Sequence, residues 1–229
     1  MKEERNTGLR GIGKYILWKL RWVECTVLLV FFAVPLVFTV GRVTEVMSRS
    51  SFMVEPLPVV ITHATSDRFV ADDNFSLGVS DDAKAKISYL GNNFVAWFLG
   101  SRGKVEEASS NEQTLSCVRL KEPLVDGPII EELGGVEKAE ATLSEMFSLL
   151  GEQKDGEEGN LLTDGRANIF YVRDSVGVLR SVSLSWSGIG WVIGARSTDS
   201  PVLYGVDSRV FSHGFITEAS RVLASRQPF

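Results

Sequence analysis

The stretch Ala167–Arg196, ANIFYVRDSVGVLRSVSLSWSGIGWVIGAR, decides how the body of this chain is read. Its apolar runs are rich in Val, Ile and aromatic residues, which suit a pleated, half-buried surface. Asp174–Gly177 and Ser187–Gly190 interrupt those runs, each with a glycine at its last position, where a tight turn favours one. The reading is three strands, Ala167–Arg173, Val178–Trp186 and Trp191–Arg196, joined by short turns. A fourth run, Val202–Phe211, continues the series. The expectation is a C-terminal antiparallel β-meander.

Upstream of the meander the pattern is mixed. Leu57–Thr62, Lys86–Tyr89 and Gln113–Leu120 read as strands. Ser66–Lys84 is an acidic loop with room for one edge strand at Phe75–Val79. Gly91-Asn92-Asn93 can cap a short helix, Phe94–Leu99, closed by Gly100. Asp126-Gly127-Pro128 opens a helix with proline in its first turn, and Gly134-Gly135 stops it. Val136–Gly151 gives the clearest helical period, through Val136, Ala139, Leu143, Met146, Phe147 and Leu150. Gly151–Asn160 is an acidic, glycine-rich loop, and Thr217–Ser225 reads as a short terminal helix. Mixed elements followed by a meander make the expected fold class α+β.

The N-terminal region has a different character. Glu24 and Arg42 bracket seventeen uncharged residues, mostly Val, Leu and Phe. From Trp22 to Val43 a helix would run about 33 Å at 1.5 Å per residue, enough for a hydrocarbon core of about 30 Å. Trp18 and Trp22 stand where an interfacial aromatic belt belongs. The apolar stretch exceeds a signal-peptide core of about 7–15 residues, so an uncleaved anchor is the reading over cleavage at the weak site Thr39-Val40-Gly41. Residues 1–21 hold six basic groups and 44–55 only Arg49, which sets the N-terminus in the cytoplasm. Leu9, Ile12, Ile16, Leu20 and Val23 share one helical face opposite Arg10, Lys14 and Arg21, a pattern suited to anionic headgroups. The expected organisation is a cytoplasmic segment 1–21, a transmembrane helix 22–43, a polar stalk 44–56 and an extracytoplasmic α+β domain 57–229.

Composition narrows the chemistry. The chain has 229 residues and a net charge of −5. Split after Val43, that charge becomes +4 on the head and −9 on the body. An acidic body argues against nucleic acid as its partner, because phosphate contacts need clustered Lys and Arg. Two Cys and two His exclude a disulfide scaffold, a Cys-rich zinc module and a three-His metal site.

Several blocks stand out together: KISYLGNNFVAWFLG (Lys86–Gly100), VDGPIIEELGG (Val125–Gly135), VEKAEATLSEMFSLL (Val136–Leu150) and ANIFYVRDSVGVLRSV (Ala167–Val182). Trp186, Trp191 and RVFSHG (Arg209–Gly214) complete the set. Over residues 86–214 the chain resembles a family of bacterial hypothetical proteins with no established activity. The resemblance implies a bacterial source, and with it a cytoplasmic membrane facing periplasm or cell exterior. It carries no functional residues across.

Chemistry-bearing residues are few. Cys117 lies in an expected strand and would need His63 or His213 as a base to act as a nucleophile. His213, in Ser212-His213-Gly214 at the end of the last expected strand, is a candidate base or ligand-binding residue. The acidic pairs Asp72-Asp73, Asp81-Asp82, Glu131-Glu132 and Glu157-Glu158 lack a general acid/base arrangement, since adjacent acids on a helix diverge. Asp155–Asn160 offers oxygen ligands without calcium-loop spacing. Trp186 and Trp191 flank a Gly188/Gly190 turn that could present indoles to a sugar or peptide. The expectation is a non-enzymatic, membrane-anchored binding or structural module of the envelope. Its candidate binding residues are Trp186, Trp191 and His213, its partners the lipid bilayer and an envelope protein or glycan, and it needs no cofactor. Two alternatives stand beside it: an envelope hydrolase using His213 or Cys117, and a calcium or small-ligand sensor built on the acidic loops.

Overall fold

The structure is a computed structural model and describes residues 53–63, 67–100, 104–109 and 111–214. The described chain runs β1 (Val54–Pro56), β2 (Val60–Thr62), β3 (Phe69–Val70), α1 (Ala71–Asn74), β4 (Ile87–Leu90) and α2 (Asn92–Phe94). A π-helical turn, Val95–Leu99, extends α2. There follow β5 (Glu106–Glu107), β6 (Gln113–Leu120), α3 (Asp126–Glu132), α4 (Val136–Ala139) and α5 (Leu143–Glu152). The last four strands are β7 (Asn168–Arg173), β8 (Leu179–Trp186), β9 (Trp191–Ser197) and β10 (Arg209–Ser212).

Eight of these strands form one mixed sheet in the order β1-β6-β10-β7-β8-β9-β4, with β2 also paired to β6. The hairpins β7/β8 and β8/β9 form in the register the turn residues predict, with Phe170 opposite Val182 and Trp186 opposite Trp191. The expected α+β fold ending in an antiparallel meander is nevertheless corrected. The body is mostly sheet with few helices, and the sheet is mixed. The chain does not turn back from β9 into a neighbouring strand. It crosses the sheet as an irregular segment and enters as β10 between β6 and β7, parallel to β7. β4 takes the place beside β9, also parallel. Of the expected strand Val202–Phe211, only Arg209 onward is strand, because Tyr204 turns aside to bridge Leu124.

The physical reason is burial on both faces. A meander with one wet face needs alternating polar residues, whereas Asn168–Val172 of β7 are buried without interruption. Phe170 and Val172 join a cluster with Leu115, Val182, Leu184, Trp191, Ile193 and Phe211, covered by Leu143, Met146, Leu149 and Leu150 of α5. Ile169 and Tyr171 point the other way, into a cluster with Val118, Leu120 and Val210, covered by Ile129 and Ile130 of α3 and Ala139 of α4.

The expected single helix Val136–Gly151 is two helices. Glu140 leaves the helix to bridge Tyr171, and Ala141 donates its N–H to the Tyr171 carbonyl at 2.8 Å. Gly134 and Gly135, with φ of +96° and +100°, end α3 as expected. Among the described residues no helix is long and apolar enough to cross a membrane. The expected segments 1–21, 22–43 and the stalk up to Phe52 lie outside the described residues, as does the expected helix Thr217–Ser225.

Candidate functional site

Helix α5 lines a concave region of the surface. Thr142 precedes it as the cap: its Oγ1 accepts from Glu145 N at 3.2 Å, and Glu145 Oε2 accepts from Thr142 N at 2.8 Å. This is a reciprocal capping box. Glu107 supplies the rest, its two carboxylate oxygens accepting from Leu143 N and Ser144 N at 2.8 Å each. The first-turn donors that a helix leaves unpaired are thus met by the Thr142 hydroxyl and the Glu107 carboxylate, and the helix dipole also favours the carboxylates there.

One face of α5 carries Leu143, Met146, Leu149 and Leu150 into the core. A second face carries Ser144, Phe147, Ser148, Gly151 and Glu152, at the i, i+3, i+4, i+7, i+8 spacing of helical neighbours. With His63, Phe69 and Asn74 these residues line a cleft of about 510 Å³. Phe69 and Phe147 are its aromatic lining and both pack on the buried Phe75, the three ring centroids 5.2–6.2 Å apart. Ser148 Oγ accepts from the backbone N–H of His63 at 3.0 Å, which ties the end of β2 to the helix. Asn74 donates to Val70 O at 2.8 Å and accepts from Lys84 at 3.1 Å. At the end of α5 the Glu152 carboxylate lies 3.2 Å from His63 Nε2. Burial raises the Glu152 carboxyl above its ordinary value, and His63 and the Asn160 amide offset this only in part. A Cβ added at Gly151 would meet no atom within 4 Å, so there is open space beside the helix there.

The residues singled out in the sequence fall in different places. Trp186 and Trp191 do come together, edge to face at 5.4 Å. Trp191, however, is fully buried and donates its indole N–H to Gln153 O at 3.0 Å. Trp186 is half-buried against the backbone of Gly156, which adopts φ of +71° beneath the ring. The exposed apolar residue of that turn is Ile189. The pair therefore packs the 151–160 loop onto the sheet, with Trp191 enclosed and Trp186 partly exposed.

His213 is held by the N-terminal end of α5. Its Nε2 lies 3.0 Å from Glu145 Oε1. The Glu145 hydrogen bond raises the imidazole value. Burial pushes Glu145 upward, but His213 and the Thr142 backbone outweigh it and leave the carboxyl below its ordinary value. The two histidines thus engage opposite ends of α5, His213 at Glu145 and His63 at Glu152. Cys117 is buried in the core cluster beneath α5, and burial pushes its thiol up to about 12. A thiol so protonated is not a ready nucleophile. The acidic loop spends its groups on structure. Asp155 pairs with Lys86 at 2.7 Å, and Gln153 spans Glu157 O, Leu161 O and Leu161 N. Among the described residues no group of three or more His, Cys, Asp or Glu is placed to hold a metal ion.

A buried polar network on the opposite face of the sheet has no counterpart in the sequence reading. Asp126, read as a helix start, is fully buried as the first residue of α3. Its Oδ1 accepts from Ser181 Oγ at 2.7 Å and Tyr171 Oη at 3.1 Å, and its Oδ2 accepts from Arg196 Nε at 3.1 Å. The Arg196 guanidinium stacks 3.8 Å from the centre of the Tyr204 ring. Burial raises both phenols, Tyr204 to about 12. The network ties α3, β7, β8, β9 and the crossing segment together. Its groups face one another, which makes it a structural clamp.

The cleft combines two Phe rings with two serine hydroxyls, an amide and a partly desolvated carboxylate, each of these polar groups already holding one neighbour in the fold. No protein-family model matches the chain, and neither a curated protein nor a solved structure matches it.

Proposed function

We propose that the chain is a membrane-anchored envelope protein whose exported body is a non-enzymatic binding module, with the cleft along α5 as its binding site. The single observation behind the binding site is the second face of α5, which lines a cleft of about 510 Å³ together with His63, Phe69 and Asn74. Ligand sites combine an apolar surface with a few convergent polar groups, and this cleft has that composition. The support for the anchor is the sequence 22–43 and the bias of basic residues before it. The support for binding over catalysis is the state of the candidate nucleophile, since Cys117 is buried and protonated.

Two measurements test this. A reporter fused after Phe229 is expected to be active only on the trans side of the membrane; activity in the cytoplasm contradicts the orientation. For the cleft, ligand-observed NMR with a fragment library compares the full-length chain in lipid nanodiscs with the variant Gly151→Phe. Fragment hits that disappear in the variant support the site, and hits that persist unchanged contradict it.

A further inference from the structure

Resting on the reading of the cleft as a binding site, we propose that it takes an organic cation, an alkylammonium carrying an apolar body, with the ammonium on Glu152 and the body over Phe69 and Phe147. Four observations converge on that class.

The first is an unbalanced charge. Glu152 lies at the cleft wall with its side chain 28 % exposed. Its partners among the described residues are the His63 imidazole at 3.2 Å, on a side chain 77 % exposed, and the Asn160 amide, with no Lys or Arg beside them. A partly desolvated carboxylate without a lysine or arginine beside it gains more from an incoming cation than an exposed one does.

The second is the aromatic base. Phe69 and Phe147 lie with ring centroids 6.0 Å apart, and Phe75 stands 5.2 Å from Phe147. Ring faces attract a cation directly and accommodate an apolar body beside it.

The third is the engagement of the lysine that reaches the cleft lining. Lys84 Nζ is taken up by Asn74 Oδ1 at 3.1 Å, on the α1 side of the cleft. Glu152 stands on the last turn of α5 with His63 and Asn160 as its own neighbours.

The fourth is the supply of acceptors. Ser148 puts a hydroxyl oxygen on the same face of α5 one turn before Glu152, and with one lone pair taken by the His63 N–H it keeps a second; Ser144, a turn further back, is bonded to Thr142. An ammonium has three donors to satisfy, and a carboxylate with a hydroxyl one turn away meets two of them. An anionic ligand finds the opposite conditions, with Glu152 repelling it and Phe rings offering no donor.

The test uses three probes that share a phenylethyl body, on the full-length chain in lipid nanodiscs: 2-phenylethylammonium, 2-phenylethanol and 3-phenylpropionate. Binding is followed by calorimetry and by the shift in melting temperature. The expected result is saturable binding of the ammonium, at least about tenfold tighter than the alcohol, with no binding of the carboxylate. Glu152→Gln is expected to reduce the ammonium's affinity to that of the alcohol while leaving the alcohol's unchanged, which also shows that the variant is folded. Phe147→Leu should weaken both probes that bind. Equal affinity for ammonium and alcohol, or retention of the preference in Glu152→Gln, overturns the cation assignment and leaves the cleft a binding site. Absence of ammonium binding overturns it too, and fragment hits sensitive to Gly151→Phe then decide the fate of the cleft separately.

Discussion

Removing the Asp126 carboxylate should unfold this protein more readily than any other single truncation of a polar side chain described here. Asp126 is fully buried and accepts from Tyr171, Ser181 and Arg196. Arg196 is stacked on Tyr204, and its Nη2 is already shielded and without an acceptor. Asp126→Ala therefore strands a largely buried guanidinium and two hydroxyls. Breaking a buried ion pair from one side costs about 3–5 kcal/mol, chiefly through the uncompensated charge. For a body of this size about 2–4 °C of melting temperature goes with each kcal/mol, so the expected fall is about 6–20 °C. Asp126→Asn keeps an oxygen for the two hydroxyls and loses the charge, so its cost should be about half. The decisive variant is the double substitution Asp126→Ala with Arg196→Met. It removes both charges, and it should regain most of the loss, because the stranded cation dominates the single variant. Urea unfolding followed by far-ultraviolet circular dichroism measures all three. A cost below about 1 kcal/mol for Asp126→Ala, or a double variant as unstable as the two singles added, would refute the clamp.

Three further predictions concern α5 and its surroundings. His213 has a raised folded value and Glu145 a lowered one, so the stability of their pair is complete below the unfolded imidazole value of 6.5 and above the unfolded carboxyl value of 4.5. His213→Gln should therefore cost most, about 1 kcal/mol after allowance for the half-exposed imidazole, between those two values. Its cost should shrink as pH rises through the folded histidine value; a constant difference into alkaline solution removes the pair from the account. Gly151→Ala should stabilise the folded chain by about 0.5–1 kcal/mol, since it replaces a helical glycine and the new methyl meets nothing. Denaturant titration checks this, and a destabilised variant would mean that space is closed. Cys117, buried and protonated, should resist a thiol reagent such as iodoacetamide under native conditions and react at once in urea. Prompt native labelling, with the modified site identified by peptide mapping, would place it at the surface.

Local signals carried the hairpins. Asp174–Gly177 and Ser187–Gly190 are turns whose glycines Gly177 and Gly188 take positive φ, and β7, β8 and β9 form around them. β6 spans Gln113–Leu120 as its pattern implies, and α3 stops at the two glycines. What the pattern could not convey is the position of β10. Its partners, Cys117 and Phe170, lie 94 and 41 residues from Phe211, and no periodicity encodes a strand inserted between two others. The uninterrupted burial of Asn168–Val172 was the available hint that β7 is central. The break in Val136–Gly151 is masked because Ala139 and Leu143 keep helical spacing across it. Thr142 followed by Glu145 was nonetheless a legible capping box, three residues apart. The cleft shows the same division. Ser144, Phe147, Ser148, Gly151 and Glu152 are one helical face in the sequence, but that face becomes a cleft only when His63, Phe69 and Asn74 fold against it. The packing of Trp191 beneath Gln153, and of Trp186 against Gly156, depends on the acidic loop folding back onto the sheet, and nothing in the local pattern announces that.

If ligand enters along α5, a bound fragment marks that face. Backbone amide chemical shifts of the full-length chain in nanodiscs, recorded with and without a fragment hit, should move first at Phe69, Phe147, Ser148, Gly151 and Glu152. Shifts that cluster at the Trp186–Trp191 turn, or around Arg196 and Tyr204, with the α5 face unmoved, would contradict the account.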